Sequence, residues 1–280
     1  MKDIKDSIIL VTGSTDGIGM LTAKGLAAKG ATVLLHGRDP QKGEMVQREL
    51  QGAVRGGRFQ YYNADLSSLA EVVKLAQMIS NDHSRLDVLV NNAGIGEGEQ
   101  GHQIREMSKD GFELRFAVNY LAPFLLTHIL IPLLRRSAPS AIVNISSISQ
   151  RQIDFYDLML ERHYDPQTAY GQSKLALVML TIDLAEELKD DGISVNAVHP
   201  GNLLNTKMVR EAFGHGWGDP QEGADAVINV VTSPSLEGLT GRFFAQGYET
   251  TAHPQAYDPH ARMMLRELSL GFTRAFYERP

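Results

Sequence analysis

Short uninterrupted apolar runs alternate along this chain with longer stretches whose apolar residues recur at helical spacing. Ile8, Ile9, Leu10 and Val11 form the first run, of the kind carried by a strand buried on both faces, and Thr12-Gly13 ends it. A helical pattern through Leu21, Leu26 and Ala27 follows and stops at Gly30, after which residues 32–35 read as a second strand. The alternation continues with helices predicted at 40–51, 68–80, about 110–136, about 168–189, near 220–232 and at 258–276. Further strands are predicted at 59–62, 87–90, 141–145, 194–198 and 242–245. Strands separated by helices pair in parallel through right-handed crossovers, so the pattern predicts an α/β fold, a doubly wound parallel sheet with helices on both faces. No linker, composition shift or internal repeat divides it, and residues 1–280 are expected to form a single domain.

Composition changes this picture mainly by exclusion. Hydrophobic residues are 43% and charged residues 21%, values of an ordinary globular chain able to bury a large core. The net charge of -6 is spread along the chain and argues against a nucleic-acid partner. With no cysteine, disulfides, thiolate nucleophiles and Cys-ligated metals are excluded, which fits a reducing cytoplasm. The charged start, Lys2 to Asp6, runs directly into the first apolar strand and has no signal-peptide pattern. The longest apolar run, 121–134, is interrupted by Pro123, Thr127, His128 and Pro132 and falls short of the ~20 residues of a membrane span, so a buried helix is expected.

Candidate chemistry collects where strands end. Gly13-Ser14-Thr15-Asp16-Gly17-Ile18-Gly19 lies between a strand and a helix, where glycines permit a tight turn, close backbone approach to a pyrophosphate at the helix N-terminus, and close helix packing. Gly37-Arg38, Asp65-Leu66, Asn91-Asn92-Ala93-Gly94, Ser146-Ser147 and His199-Pro200-Gly201 follow the other strands. Each is compatible with ordinary turn chemistry, but six on one sheet edge mark a ligand site. Tyr170 and Lys174 are one helical turn apart, so an ammonium can stand near a phenol and lower its pKa toward the range of efficient acid-base catalysis. Taken alone, the pair is better read as a core aromatic beside a solvated lysine, and it is the surrounding motifs that change this.

In order and approximate spacing these residues resemble the short-chain dehydrogenase/reductase family, through Thr12-Gly13 with Gly17 and Gly19, Asn91 to Gly94, Asn119, Ser147, Tyr170 with Lys174, and Pro200-Gly201. The resemblance covers nearly the whole chain and implies a Rossmann-like fold. Residues 153–164 leading into Ala169-Tyr170-Gly171-Gln172-Ser173-Lys174, and the tail with Gly241-Arg242-Phe243-Phe244 and Leu265 to Ser269, are similar to the retinol-dehydrogenase-like subgroup. It implies hydride transfer between a nicotinamide and a carbonyl or alcohol carbon, with Tyr170 handling the proton and Lys174 holding the nicotinamide ribose and tuning the phenol. Ser147 would bond the substrate oxygen, Ser146 would point to the other side of the strand end, and Asn119 would hold a water linking Lys174 to solvent. Gly13 to Gly19 (Ser14, Thr15, Asp16, Gly17 and Ile18 between them) would take the pyrophosphate, Asp65 and Leu66 the adenine edge, and Asn92, Ala93 and Gly94 the ribose. Pro200, Gly201 and Thr206 would lie near the carboxamide.

The end of the second strand points to NADP(H) over NAD(H). His36 and Gly37 stand where an NAD site carries a carboxylate, and Arg38 offers a planar guanidinium to a 2′-phosphate, with Ser14 and Thr15 as added hydroxyl donors. Asp39 reads either as a shifted ribose carboxylate or, preferably, as the cap of a helix beginning at Pro40. The segment 148–168 is an insert expected to wall the substrate pocket, and 246–280 a C-terminal extension. Loops 95–108, 148–168 and 202–218 carry Phe155, Tyr156, Met159, Phe213 and Trp217, which suggests a small lipophilic carbonyl or alcohol as substrate. The apolar girth of the 110–136 helix suggests a homodimer or homotetramer. A redox sensor that binds NADP(H) without turnover and a Rossmann-like methyltransferase are the competing classes; the second has no use for Tyr170, Lys174 or Arg38.

Overall fold

The computed structural model describes residues 4–99 and 104–277; Lys2, Asp3, residues 278–280 of the C-terminal extension and part of the predicted pocket loop 95–108 lie outside them. The element order is β1 (Ile8–Val11), α1 (Gly17–Ala28), β2 (Thr32–Gly37), α2 (Pro40–Ala53), β3 (Arg58–Asn63), α3 (Leu69–Asp82), β4 (Val88–Asn91) and α4 (Leu114–Arg136). It continues with β5 (Ser140–Ile145), α5 (Pro166–Glu187), β6 (Ile193–His199), α6 (Lys207–Phe213), α7 (Pro220–Thr232), β7 (Phe243–Ala245), β8 (Tyr248–Thr250) and α8 (Pro259–Tyr277). One eight-stranded sheet in the order β3-β2-β1-β4-β5-β6-β7-β8 runs through the molecule, parallel except for β8.

Alternate residues of β1 feed two cores, as expected of a strand covered on both sides. Ile9 and Val11 pack with Leu26 of α1, Leu50 of α2 and Val227 of α7. Leu10 points the other way, into a core with Leu75 of α3, Leu125 of α4, Leu177 of α5 and Leu265 of α8. The predicted doubly wound arrangement is therefore present, and strand order reverses between β1 and β4. A crevice opens beyond the carboxyl ends at such a reversal. Helix starts follow the local chemistry: Asp39, Asp165 and Asp219 each accept a backbone hydrogen bond ahead of a proline at the first helical turn. Asp39 accepts from Lys42 N at 3.0 Å, which assigns it to the cap.

Two elements depart from the sequence reading. The predicted loop 202–218 contains α6, started by Thr206 and stopped at Gly214. The extension begins with β8, which pairs antiparallel with β7 across Gln246 and Gly247, both at positive φ (52° and 83°), as a two-residue hairpin turn requires. A periodicity window is too short to find either of them.

The apolar helix α4 is long enough to cross a membrane, but 83% of its apolar window is buried within the domain. Part of its surface is covered by α8. Tyr120 of α4 shares a 2.8 Å hydrogen bond with Ser269, and Phe112, just ahead of α4, packs on Phe272 at 5.2 Å between ring centroids. Arg262 bonds Asp183 of α5 at 2.6 Å and Glu186 at 3.3 Å. The insert is also tied to this extension, since Gln255 bonds both the N–H and the carbonyl of Ile153. Ile153 and Leu158 are buried in the core, whereas Tyr156 is 90% exposed.

Because Arg262 is buried and Asp183 is mostly enclosed, Arg262→Ala leaves this carboxylate without its hydrogen-bonded cation. Urea unfolding of this variant is expected to report a loss of about 2 kcal/mol, less than a fully buried pair would give because Asp183 retains some solvent contact. Arg262→Lys should recover part of that loss.

Candidate active site

The crevice is built from the ends of β1 and β4 inward. Thr12 Oγ1 donates to Val90 O and accepts from the N–H groups of Asn92 (2.9 Å) and Ala93 (3.0 Å), clamping the two strand ends together. Asn92 Nδ2 donates to Thr12 O at 2.7 Å and to Gly13 O at 3.1 Å. This closeness is what demands glycine: Gly13 has φ 64°, and a Cβ there would lie 2.8 Å from Ala93 Cα, while one at Gly19 would meet Gly13 O and the Asn92 amide. Behind the turn, His36 Nδ1 accepts from Gly13 N at 3.1 Å and Ser14 Oγ accepts from His36 N at 2.9 Å. Ser14 is fully buried, so its hydroxyl braces the turn and is not presented to a phosphate, contrary to the expectation. Thr15 fills the space above Gly37, where a Cβ would meet it at 2.7 Å.

The remaining predicted binding residues spread along the same edge. Asp16 caps α1 by accepting from Gly17 N and pairs with Lys42 at 2.6 Å, a basic neighbour that the sequence reading missed. Ile18 packs toward Gly223 of α7, so its side chain is structural. Arg38 is exposed just past β2. The Asp65 carboxylate accepts from Ser67 N and pairs with Lys109 at 3.1 Å, and Leu66 is buried in the core. Thr206 caps α6 and stands 3.6 Å from where a Gly17 Cβ would be, so it lies over the glycine-rich turn. Pro200 and Gly201 follow β6, where His199 Nε2 bonds Asn202 Oδ1 at 2.9 Å.

Four more residues converge beyond β4 and β5. Tyr170 and Lys174 share a face of α5, with Nζ 5.6 Å from the ring centroid. Lys174 Nζ donates to Ile145 O at 2.8 Å and lies against Gly94, where a Cβ would be 3.4 Å from Nζ and 3.3 Å from Asn119 Oδ1. Ser147 Oγ accepts from Ser149 N at 3.0 Å and reaches the Tyr170 phenol. Ser146 Oγ instead donates to Lys174 O, so the two adjacent serines point to opposite sides as expected of a strand end. Asn119 sits in a π-helical turn, Ala117–Leu121, a local widening of α4 that no sequence pattern signalled. Its amide donates to Ile95 O and Ser173 Oγ and accepts from Ile95 N, which fixes Ser173, another residue the sequence reading passed over.

Electrostatics correct one expectation. Burial pushes the Tyr170 phenol above its ordinary range and the carboxylate of Glu97 adds to this, while the Ser147 hydrogen bond opposes them. The phenol stands above its ordinary range in the free protein although Lys174, brought down by burial to about 8, lies 5.6 Å from the ring centroid. Burial and the Lys174 charge also lower His199.

A glycine-rich turn at a helix N-terminus and a Tyr-Lys-Ser-Asn cluster on one sheet edge have clear counterparts. The sequence profile described as "short chain dehydrogenase" matches residues 7–215. Retinol dehydrogenase 13 of Mus musculus is 34% identical over 273 residues, covering 91% of this chain and 80% of its own length. Retinol dehydrogenase 11 of Homo sapiens is 36% identical over 262 residues, covering 89% and 80% respectively. Among solved structures, a Pseudomonas aeruginosa RhlG/NADP active-site complex superposes with a TM-score of 0.71 at 32% identity, covering 88% of this chain and 97% of that one. The chain belongs to the short-chain dehydrogenase family. Within it, this oxidoreductase is of the retinol-dehydrogenase-like kind.

His36 yields a pH prediction. Its ring is buried, accepts from Gly13 N through Nδ1 and so donates from Nε2 to Ala64 O, and burial lowers its pKa to about 4. Between the unfolded value of about 6.5 and this lower one the unfolded chain takes up a proton that the folded chain refuses, so stability is lost as pH falls through that window, by up to about 3 kcal/mol. ¹⁵N NMR of the imidazole should find the neutral Nε2–H tautomer at pH 5; a ring titrating near 6.5 in the folded protein would refute this placement.

Proposed function

We propose that the protein interconverts a small lipophilic carbonyl compound and its alcohol with NADP(H) as hydride carrier. The observation that carries this reading is the Tyr170 phenol enclosed by the Ser147 hydroxyl and the Lys174 amine at the mouth of the β1–β4 crevice. Bound NADPH would supply the hydride to the carbonyl carbon. Tyr170 gives its proton to the carbonyl oxygen, and its high phenol pKa in the free protein favours the protonated, donating form. Ser147 Oγ already accepts from Ser149 N, so its own hydrogen is left to donate to that oxygen as charge develops. Lys174 holds the ribose from its place beside Gly94, and Asn119 holds the backbone of Ile95 and the Ser173 hydroxyl that flank it. The bare backbone at Gly94, where a Cβ would crowd Asn119 Oδ1 at 3.3 Å and Lys174 Nζ at 3.4 Å, suits the floor of this site to a flat ribose-nicotinamide unit. The pyrophosphate is assigned to the open N-terminus of α1, whose N–H groups and dipole favour an anion.

NADP(H) is assigned over NAD(H) on Arg38 and on the inward-facing, uncharged His36, which leave no carboxylate at the end of β2 to repel a 2′-phosphate. Asp39 is occupied at the cap of α2. The RhlG structure holding NADP supports the same reading.

Tyr170→Phe is expected to abolish turnover of aldehydes and ketones, followed by NADPH absorbance, while cofactor affinity stays nearly intact. Lys174→Ala should damage both. A Phe variant keeping more than about a tenth of wild-type kcat would refute the assignment, and saturable NADPH binding by a wild type without turnover would favour a sensor. Arg38→Ala should lower kcat/KM for NADPH by about one to two orders of magnitude, the equivalent of one charge-assisted phosphate contact, with little change for NADH. Equal losses for both cofactors would show that Arg38 does not read the phosphate.

A further inference from the structure

Arg38, to which the 2′-phosphate is assigned, is an exposed residue in the turn between β2 and α2. An arginine in such a turn keeps its own torsions, so what the fold can fix is the point and direction from which its side chain starts. Here the peptide groups on both sides of Arg38 are pinned. On the β2 side, Gly37 O accepts from Ala64 N at 3.1 Å, from Asn63 Nδ2 at 3.0 Å and from the Tyr61 hydroxyl at 2.9 Å. On the α2 side, Asp39 O accepts from Gly43 N at 2.9 Å and from the same Tyr61 hydroxyl at 2.9 Å.

One phenol thus bridges the two carbonyls that bracket a single residue. Its one hydrogen is shared between two acceptors at equal distance, a three-centre bond, and its oxygen accepts from Asn63 Nδ2 at 3.1 Å. Tyr61 and Asn63 are two apart on β3 and share a face, so they act on the turn together. The ring is seated against α2, where a Cβ at Gly43 would overlap it. Burial, to which the Asp39 and Glu44 carboxylates add, keeps the phenol above its ordinary range against the Asn63 hydrogen bond, so it stays a donor at neutral pH. Neither carbonyl needs this donor for its own sake. Gly37 O already has Ala64 N and Asp39 O already has Gly43 N, so what the hydroxyl adds is the tie across Arg38.

We infer that Tyr61, supported by Asn63, is a positioning residue for cofactor choice, whose hydroxyl holds the turn in the conformation that presents the Arg38 guanidinium to a 2′-phosphate. The inference rests on the NADP(H) reading of Arg38 and deepens it. A turn released from the clamp visits the presenting conformation for only part of the time, and affinity for the phosphate falls by that fraction. Affinity for the rest of the dinucleotide is kept, because the glycine-rich turn is braced separately by His36, Ser14 and Asn92.

The test needs no turnover. Dissociation constants of NADP⁺ and NAD⁺, which differ only in the 2′-phosphate, are measured by isothermal titration calorimetry in wild type, Tyr61→Phe, Asn63→Ala, Arg38→Ala and the double variant Tyr61→Phe/Arg38→Ala. Tyr61→Phe keeps the ring over Gly43 and removes only the hydroxyl. It should weaken NADP⁺ about fivefold, as for a turn that presents Arg38 a fifth of the time, and leave NAD⁺ nearly unchanged. Asn63→Ala, which leaves the ring untouched, should act in the same direction. Arg38→Ala should cost NADP⁺ more, and adding Tyr61→Phe to it should cost nothing further, because the clamp then has no guanidinium to present. A merely structural hydroxyl would instead lower both dinucleotides alike and add its loss to that of Arg38→Ala. That pattern, or an unchanged ratio in Tyr61→Phe beside a lowered one in Arg38→Ala, would overturn the role of Tyr61 while the reading of Arg38 stood. An Arg38→Ala variant with the wild-type ratio would overturn the NADP(H) reading and this inference with it.

Discussion

The contact on which the site depends is the clamp between the ends of β1 and β4. Thr12 Oγ1 ties three backbone groups of the neighbouring strand to its own, and the Asn92 amide returns two hydrogen bonds to Thr12 and Gly13. The strands diverge in topology here but not in space. The turn after β1 is therefore pressed against the turn after β4, and only residues without a side chain fit at Gly13 and Gly19. The N–H groups at the start of α1 and the floor at Gly94 are fixed relative to each other as a consequence.

The polar groups behind this edge are almost all engaged, and that is what gives the site its geometry. Ser146 holds the backbone of α5, Lys174 reaches back to Ile145 O, and Asn119 spans Ile95 and Ser173. Further down, Asn91 donates to Thr127 and to Asn144, whose own amide donates to Thr181, a buried ladder joining β4 and β5 to α4 and α5. Such a network specifies one arrangement of helices on the sheet, because any slip would strand a buried amide without its partner. The phenol of Tyr170 thus hangs from a rigid frame, consistent with a proton transfer that needs a fixed distance more than a mobile group.

A second constraint comes from the C-terminal extension. By packing on α4 and α5, α8 encloses apolar surface that the body of the domain would otherwise expose, and Gln255, in the turn just ahead of α8, anchors the insert through Ile153. Between insert and helix lies an open groove of about 530 Å³ whose lining, from Gln152 to Tyr156 with Gln255 and Met264, does not include Tyr170, Ser147 or Lys174.

The alternation of apolar runs with helical stretches was enough to determine the doubly wound sheet, because the inner strands of a parallel sheet are covered on both faces and each is joined to the next by a crossover helix. Residue identity at the strand ends determined the site edge and the pairing of Tyr170 with Lys174, since a turn of helix fixes that spacing without help from the rest of the chain. Asp39 as a cap was legible for the same reason, being local. What the sequence could not decide were quantities that depend on distant groups. The inward turn of Ser14 and His36 follows from a neighbouring strand, the π-helical turn at Asn119 from packing against Ser173, and the direction of the Tyr170 and Lys174 shifts from burial that no local pattern measures. The cluster of Arg115 with Gly96, Glu97, Glu113 and Tyr164 joins segments far apart in the chain. Only the folded structure could bring them to one place, since an arginine within an apolar helix says that a partner exists without saying which.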